Sequence, residues 1–443
     1  LPEDDLAYQD TFVKACLAAG INAEVIDPEE AKRMEPSVNP SLIGAVKVPD
    51  GSVDPFRLCA SNVFDAKIHG AKVLVYSEVI EFIKEQDTIK GVKVLDHHTG
   101  IVTEYYAPVT VNAGGIWGHH IAQMAGATIS MFPAKGALLI FAHRVNNVVI
   151  NRCRKPANAD ILVPGDTVCV IGTTSTRVPY EECDHLKVTP DEVDLLLTEG
   201  AKLAPCLAET RVLRAYAGVR PLVSADNDPS GRNISRGIVC LDHETRDGIK
   251  GFISITGGKL MTYRLMGEMA ADAVCKKLGR DAKCVTADTP LPGSEPGGIE
   301  EISKKIWEVP TMVQKASVGR FGTQAANLDF DGDVKGSLVC ECEEVSVSEV
   351  DSAIENLEVN NLVDLRRRTR FGMGTCQGEL CACRAAGRLA KARKCTAKAR
   401  ADLKDFMDER WKGMYPVAWG ETLRESAYTQ WVYSEVMGLG EEI

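Results

Sequence analysis

Six cysteines fall between residues 340 and 395, and four of them, Cys340, Cys342, Cys376 and Cys381, form a C-x-C pair and a C-x4-C pair. Thiols grouped in this way leave a chain few options, because the two loops must converge and whatever they hold fixes the local structure. Gly372, Gly374 and Gly378 surround the second pair. A loop wrapped on a metal centre needs glycine for close backbone approach and unusual φ. A helix-like stretch from Ser346 to Asn356 separates the pairs, and Arg366, Arg367, Arg368 and Arg370 precede the second. Those arginines either lower thiolate pKa values and offset an anionic centre or coat a solvated helix face. Three readings compete: zinc, an iron–sulfur cluster and inert buried thiols. The spacing of two to four residues usual for zinc is missing from the first pair. Cys383 is a spare thiol, and Cys395 lies outside the pattern.

The other nine cysteines are scattered singly over the first 284 residues, as in a protein of a reducing compartment rather than a disulfide scaffold. No stretch approaches the roughly 18 to 20 uninterrupted apolar residues of a spanning helix, and the first residues do not read as a basic region followed by an apolar one. A net charge of -11 argues against nucleic acid as a partner. With 443 residues and 45% hydrophobic content, the chain can build two or three packed domains.

From Leu1 to about Leu278, β-rich runs (Lys72 to Tyr76, Val109 to Asn112, Ile161 to Ile171, Gly251 to Thr256) alternate with helical stretches (Asp5 to Ala19, Pro55 to Ile68, Asp191 to Leu203, Leu260 to Leu278), which predicts an α/β or mixed domain. Leu1 itself reads as the end of a strand. Pro290, Pro292, Gly293, Pro296, Gly297 and Gly298 mark a linker. The expected organisation is an oxidoreductase domain over 1–285, incomplete at its front, a spacer over 286–335, a cysteine module over 336–395 and a tail over 396–443. Trp411, Trp419 and Trp431 lie in that tail, and the simplest expectation is that they pin it to the body; a partner-facing surface is the other reading.

Two strand-to-helix turns stand out. Val109–Asn112 breaks into Ala113-Gly114-Gly115-Ile116-Trp117, ahead of a helix with His119 and His120. Phe252–Thr256 breaks into Gly257-Gly258-Lys259-Leu260-Met261-Thr262. Such turns bring backbone amides and a helix N-terminus to a cofactor. Arg220, in Gly218-Val-Arg-Pro-Leu222, and Lys259 are the natural anion binders beside them.

The segment around the four cysteines resembles the bacterioferritin-associated ferredoxin family, which implies a [2Fe-2S] cluster on Cys340, Cys342, Cys376 and Cys381. The motifs Asn112–Trp117, Gly218–Leu222 and Gly257–Arg264 resemble those of the FAD-dependent glycerol-3-phosphate dehydrogenases of the D-amino-acid-oxidase-like superfamily. With the cysteine module behind, the resemblance is to their anaerobic, multi-subunit form and runs over essentially the whole chain, tail residues Glu409–Gly413 included. It implies a glutathione-reductase-like FAD domain interleaved with a mixed-sheet substrate domain, followed by a small helical [2Fe-2S] domain. It also implies oxidation of glycerol 3-phosphate to dihydroxyacetone phosphate, with Arg220 and Lys259 as catalytic residues. Val79, Asn112, Ala113, Gly114, Trp117, Gly257, Gly258, Leu260, Met261 and Thr262 would contact FAD. The implied partners are a second flavin-type subunit, an iron–sulfur membrane-anchor subunit and, through them, a quinone. The implied location is the cytoplasm, peripheral on the inner membrane.

Two departures accompany the resemblance. Aerobic relatives carry Lys-Gly-x-His where this chain has Lys135-Gly-Ala-Leu138, which leaves the general base open. No G-x-G-x-x-G occurs, so the front of the dinucleotide-binding unit is expected to be missing, and these 443 residues alone to bind FAD weakly or not at all. Two rivals remain: a flavin-dependent amine or amino-acid dehydrogenase subunit, and a non-catalytic iron–sulfur electron-transfer subunit.

Overall fold

The computed structural model describes residues 1–223, 237–305, 309–332 and 334–440. Helices Ala7–Ala18 (α1) and Pro55–Ile68 (α2) come first. Asp54 caps α2 by accepting from the amides of Phe56 and Arg57, and Pro55 sits in the first turn, where its missing N–H costs nothing. An antiparallel meander follows: β1 (Ser77–Glu85), β2 (Thr88–Asp96) and β3 (Val102–Tyr106). β4 (Thr110–Asn112) then leads through a 3-10 turn, Gly115–Trp117, into α3 (Gly118–Met124).

A six-stranded sheet, antiparallel throughout its described pairs, is built around β5 (Met131–Phe141). Its other long members are β6 (Ile161–Pro164), β7 (Cys169–Gly172) and β8 (Val212–Val223), and β5 pairs with both β7 and β8. Alternate residues of β5 point to opposite faces. Ala137, Leu139 and Phe141 are fully buried against Val193 and Leu196 of α4 (Pro190–Leu203), whose start is fixed by a Thr189–Glu192 capping box. Full burial of a Leu or Phe side chain stabilises by about 1.5–3 kcal/mol, so this face holds the sheet to its helix. A three-stranded mixed sheet contains β9 (Ile238–Asp242), β10 (Phe252–Gly257) and β4; β10 runs antiparallel to β9 and parallel to β4. α5 (Tyr263–Lys277) follows.

No helix or strand lies between α5 and Gly298. Helix Thr311–Phe321 (α6) then leads to the cysteine module, which has its own apolar core under α7 (Val347–Asn356), α8 (Leu362–Thr369) and α9 (Ala382–Arg393). The tail forms α10 (Ala399–Met414) and α11 (Gly420–Trp431). No helix of the described residues is long and apolar enough to cross a membrane.

Three local expectations are corrected. Leu1 to Leu6 is not the end of a strand but a turn. Lys72 to Tyr76 is not a strand, because Tyr76 takes a left-handed φ of 53° and turns its hydroxyl to Asp364 at 2.9 Å; pairing begins only at Ser77. The three tail tryptophans do not pin the tail, since all are substantially exposed. Leu403, Phe406 and Tyr433 anchor it in the module core, and Val417 anchors it in the core of the six-stranded sheet.

Candidate active site and cluster centre

Parallel pairing of Ser254 with Asn112 sets the two glycine turns side by side at the carboxyl ends of β4 and β10. This is where ligands bind in sheets with parallel strands. Asn112 is buried and builds the first turn: its Oδ1 accepts from Gly114 N at 3.1 Å, and its Nδ2 donates to Gly118 O at 2.9 Å and to Ser254 Oγ at 3.1 Å. Its side chain is therefore spent on the turn, which leaves Ala113 exposed and Gly114 half-buried. A Cβ on Gly114 would come within 2.5 Å of Ile121 Cδ1. Trp117 is half-exposed, with Nε1 donating to Asp184 at 2.8 Å.

In the second turn Gly257 and Gly258 have φ of 74° and 69°. A Cβ on Gly257 would lie 2.4 Å from Gly237 O. Thr262 closes the turn, its Oγ1 accepting from Lys259 N at 2.9 Å. Leu260 and Met261 are exposed although apolar, and Lys259 is exposed beside them. Two adjoining glycine turns, with exposed apolar side chains and one cation beside them, fit a flavin ring. Val79 stands on β1, half-buried and paired with Val94 of β2.

Arg220 stands on β8 opposite Ala134 of β5. Its Nη2 donates to Thr173 Oγ1 at 2.6 Å and to Thr174 O at 3.3 Å. The guanidinium lies over Gly136, where a Cβ would come within 2.4 Å of Nη2. Arg214 repeats the arrangement six residues earlier: a Cβ on Gly413 of α10 would meet its Nε at 2.5 Å. The even spacing puts Arg214, Tyr216, Gly218 and Arg220 on one sheet face with Gly136 and Leu138. Lys135 points the other way, its Nζ bound to Glu192 at 2.9 Å and Lys187 O at 2.9 Å, so it cannot serve as a base at Arg220's face.

The four thiols converge. Cys342 Sγ lies 3.7 Å from Cys376 Sγ, and hydrogen bonds link Cys376 to Cys381 and Cys381 to Cys340. The Cys340 thiol is held below its ordinary range by the bond from Cys381, helped by the amides of Gly372 and Glu343. Cys376 is held down by Cys342 and Cys381, helped by the amides of Leu380 and Gly378. Cys342 and Cys381, as donors, are pushed up. Among the described residues no group of three or more His, Cys, Asp or Glu is set to hold a metal ion. The four sulfurs are linked in a row by hydrogen bonds, Cys342 to Cys376, Cys376 to Cys381 and Cys381 to Cys340. Gly374 leaves them room, since a Cβ there would lie 2.4 Å from Cys342 Cβ. The donor set and the amides aimed at sulfur fit the cluster.

Sequence reasoning missed what holds the cluster loop. Buried Arg366 donates to Gln377 Oε1 at 3.0 Å, and Gln377 Nε2 donates to Gly374 O at 2.9 Å, so the arginine props the loop from beneath. Arg370, paired within the module with Glu343 at 2.9 Å, ties the module to the body through Asp54 at 3.0 Å and Asp166 at 3.3 Å. A cavity of about 1180 Å³ separates the sheet face carrying Leu138, Tyr216 and Arg214 from Cys342, Arg366 and Met373. Neither Arg220 nor Lys259 lines it, so this cavity adjoins the cluster rather than the anion-binding end.

Comparison with known proteins follows the same division. The family model described as FAD dependent oxidoreductase matches residues 2–264, and that for the BFD-like [2Fe-2S] binding domain matches 338–389. The chain is 58% identical over 442 residues to the A subunit of the anaerobic glycerol-3-phosphate dehydrogenase of Haemophilus influenzae, covering 100% of this chain and 78% of that one. It is 59% identical over 443 residues to the corresponding protein of Escherichia coli K12, covering 100% and 82%. Among solved structures, the glycerol-3-phosphate dehydrogenase from Bacillus halodurans complexed with FAD superposes with a TM-score of 0.69 at 21% identity, covering 90% of this chain and 84% of that one, a likeness of fold.

Proposed function

The chain belongs to the family of anaerobic glycerol-3-phosphate dehydrogenase A subunits, and from that premise we propose that it oxidises sn-glycerol 3-phosphate to dihydroxyacetone phosphate and sends the electrons on through iron–sulfur centres toward a quinone. The observation that carries this is the match over the whole chain, with the oxidoreductase and [2Fe-2S] parts falling on the segments that hold the glycine turns and the four thiols. Bound FAD supplies two-electron oxidation, and the [2Fe-2S] cluster supplies one-electron transfer.

The chain's own residues bind and orient. Arg220, flattened over Gly136 and steadied by Thr173, grips the substrate phosphate by charge-assisted hydrogen bonds. Lys259, exposed at the second turn, contacts the substrate hydroxyl. Ala113, Gly114, Gly257, Gly258, Leu260, Met261 and Thr262 hold the flavin through backbone and apolar contacts, with Asn112 shaping the turn and Trp117 and Val79 at the margin. Cys340, Cys342, Cys376 and Cys381 hold the cluster. A phosphate substrate calls for Arg and Lys together, which favours this reading over an amino-acid dehydrogenase, whose substrate needs a carboxylate clamp and an amine pocket. The protein acts with a second flavin-type subunit, together with an iron–sulfur membrane-anchor subunit, at the cytoplasmic face of the inner membrane. The test is dye-linked oxidation by the complete enzyme: glycerol 3-phosphate should reduce the dye, and glycine or proline should not. Turnover of an amino acid in place of glycerol 3-phosphate would overturn the proposal.

A further inference from the structure

α11 is inside out. Its buried stripe is polar, with Thr422 and Ser426 each 3% exposed and Thr429 fully buried, whereas Leu423, Tyr428 and Trp431 are 47%, 60% and 55% exposed. The polar stripe is the anchored one: Thr422 Oγ1 donates to Val212 O at 2.5 Å, and Ser426 Oγ donates to Thr422 O at 2.7 Å. A surface helix ordinarily turns its apolar stripe toward its own protein. Here that stripe faces out, and contiguous exposed apolar surface of this kind marks an interaction site.

The stripe continues onto the cluster loop. Beyond α11, Tyr433 donates from its hydroxyl to Glu379 O, inside the Cys376–Cys381 loop. Met437, also exposed, lies 3.7 Å from Cys383 Sγ, two residues past a cluster thiol. Leu380, between Glu379 and Cys381, is exposed as well. The apolar strip therefore ends on the loop that carries Cys376 and Cys381, the first of them half-buried and the second buried.

Charge indicates what covers it. Residues 399–443 carry nine Asp and Glu against five Lys and Arg, a net of -4. Anionic lipid repels such a segment, since surface attraction needs clustered Lys and Arg. Glu425 is paired with Arg211 and Glu421 with Arg424, so the face itself is apolar with balanced charge, and a protein with an apolar centre fits it. The relatives are named as one subunit of their enzymes.

We propose that the exposed face of α11, continued by Met437 and Leu380, is the docking surface for the electron-accepting subunit of the enzyme, which takes electrons singly from the cluster onto a one-electron centre of its own. This rests on the proposed function, and the experiment separates the two. Leu423→Asp/Trp431→Asp is introduced into the complete enzyme, with the milder Tyr428→Ser/Trp431→Ser as a second variant and the cluster's visible absorption as the check on folding. Dye-linked oxidation of glycerol 3-phosphate should stay within about twofold, while quinone-linked oxidation falls roughly tenfold or more and the partner no longer co-purifies, as expected when an interface anchor is lost. Unchanged quinone-linked activity in both folded variants would overturn the proposal. So would binding of the isolated chain to phosphatidylethanolamine–phosphatidylglycerol vesicles that the variants abolish while the partner stays bound, which would make the strip a membrane contact. Dissociation of a dimer of this chain with the partner retained would make it a self-association face, which also overturns the proposal. If the unmutated enzyme fails to oxidise glycerol 3-phosphate, the functional reading fails, and co-purification alone still decides the docking.

Discussion

Arg320 and Glu349 form a two-point ion pair sealed from water, Nε to Oε1 at 2.7 Å and Nη2 to Oε2 at 2.9 Å, across the seam between α6 and the cluster module. The same guanidinium donates to the carbonyls of Glu343 and Glu344, the two residues after Cys342. Glu349 also closes the capping box on Ser346 at the start of α7. Removing one partner of a buried pair leaves a charge without compensation and costs about 3–5 kcal/mol. Glu349→Gln should therefore destabilise the module by roughly that amount, seen as an earlier thermal loss of the cluster's absorption. An unchanged melting curve would mean that the pair does not hold the seam.

Gly136→Ala should displace Arg220 without removing any polar group, because the added methyl takes the space of the guanidinium. One charge-assisted hydrogen bond is worth about 1.5–3 kcal/mol. Both Gly136→Ala and Arg220→Ala are thus expected to lower kcat/KM for glycerol 3-phosphate by about tenfold to a hundredfold. Weak turnover of free glycerol should change much less. Equal losses on both substrates would show that Arg220 does not read the phosphate.

Protein prepared without oxygen should be red-brown, with about two irons and two sulfides per chain. Replacing any of Cys340, Cys342, Cys376 or Cys381 by Ser should bleach it, and replacing Cys383 or Cys395 should not. Chelation that strips the iron should abolish quinone-linked activity. Stoichiometric zinc without sulfide would exclude the assignment.

Glu199 of α4 gives an acid limb to stability. Burial works against its charge, but hydrogen bonds from Lys202 and Arg154 hold its pKa below the usual carboxylate value. A carboxylate depressed in the folded state stabilises above its unfolded pKa of about 4.3, and that stabilisation disappears as pH falls through the folded value. Thermal melts of the wild type and Glu199→Gln should differ at pH 7 and draw together as the pH falls from the ordinary carboxylate value through the lower folded one. A constant gap across that range would remove Glu199 from the acid response.

The parts legible in sequence are those where one residue type has one physical reason to be present. The glycine turns at Gly114 and Gly257 and the C-x-C/C-x4-C thiols are of that kind, and the structure brings each set together. What escaped depends on partners distant in sequence. Gly413 is unremarkable until Arg214 is found lying on it, and Arg366 is one of four neighbouring arginines until burial singles it out. The tryptophans of the tail misled because aromatic residues are usually buried, whereas α11 buries the hydroxyls of Thr422 and Ser426, each donating to a backbone carbonyl. Arg214 and Arg220 were within reach: their even spacing on an apolar strand already placed them on one face.

That shared face makes β8 a common ruler for two tasks. Arg220 and the Arg214 that abuts α10 keep step because successive side chains alternate, and nothing else in the strand enforces it. A single-residue insertion between Val212 and Arg214 would rotate both by half a turn, sending each guanidinium into the core against α4. A bulge already lies at that position, where Val212 and Arg214 meet neighbouring residues of β5. The phase of the whole strand is thus set by one irregularity at its first step, and any lineage that altered it would have to re-tune the phosphate end and the tail contact in the same event.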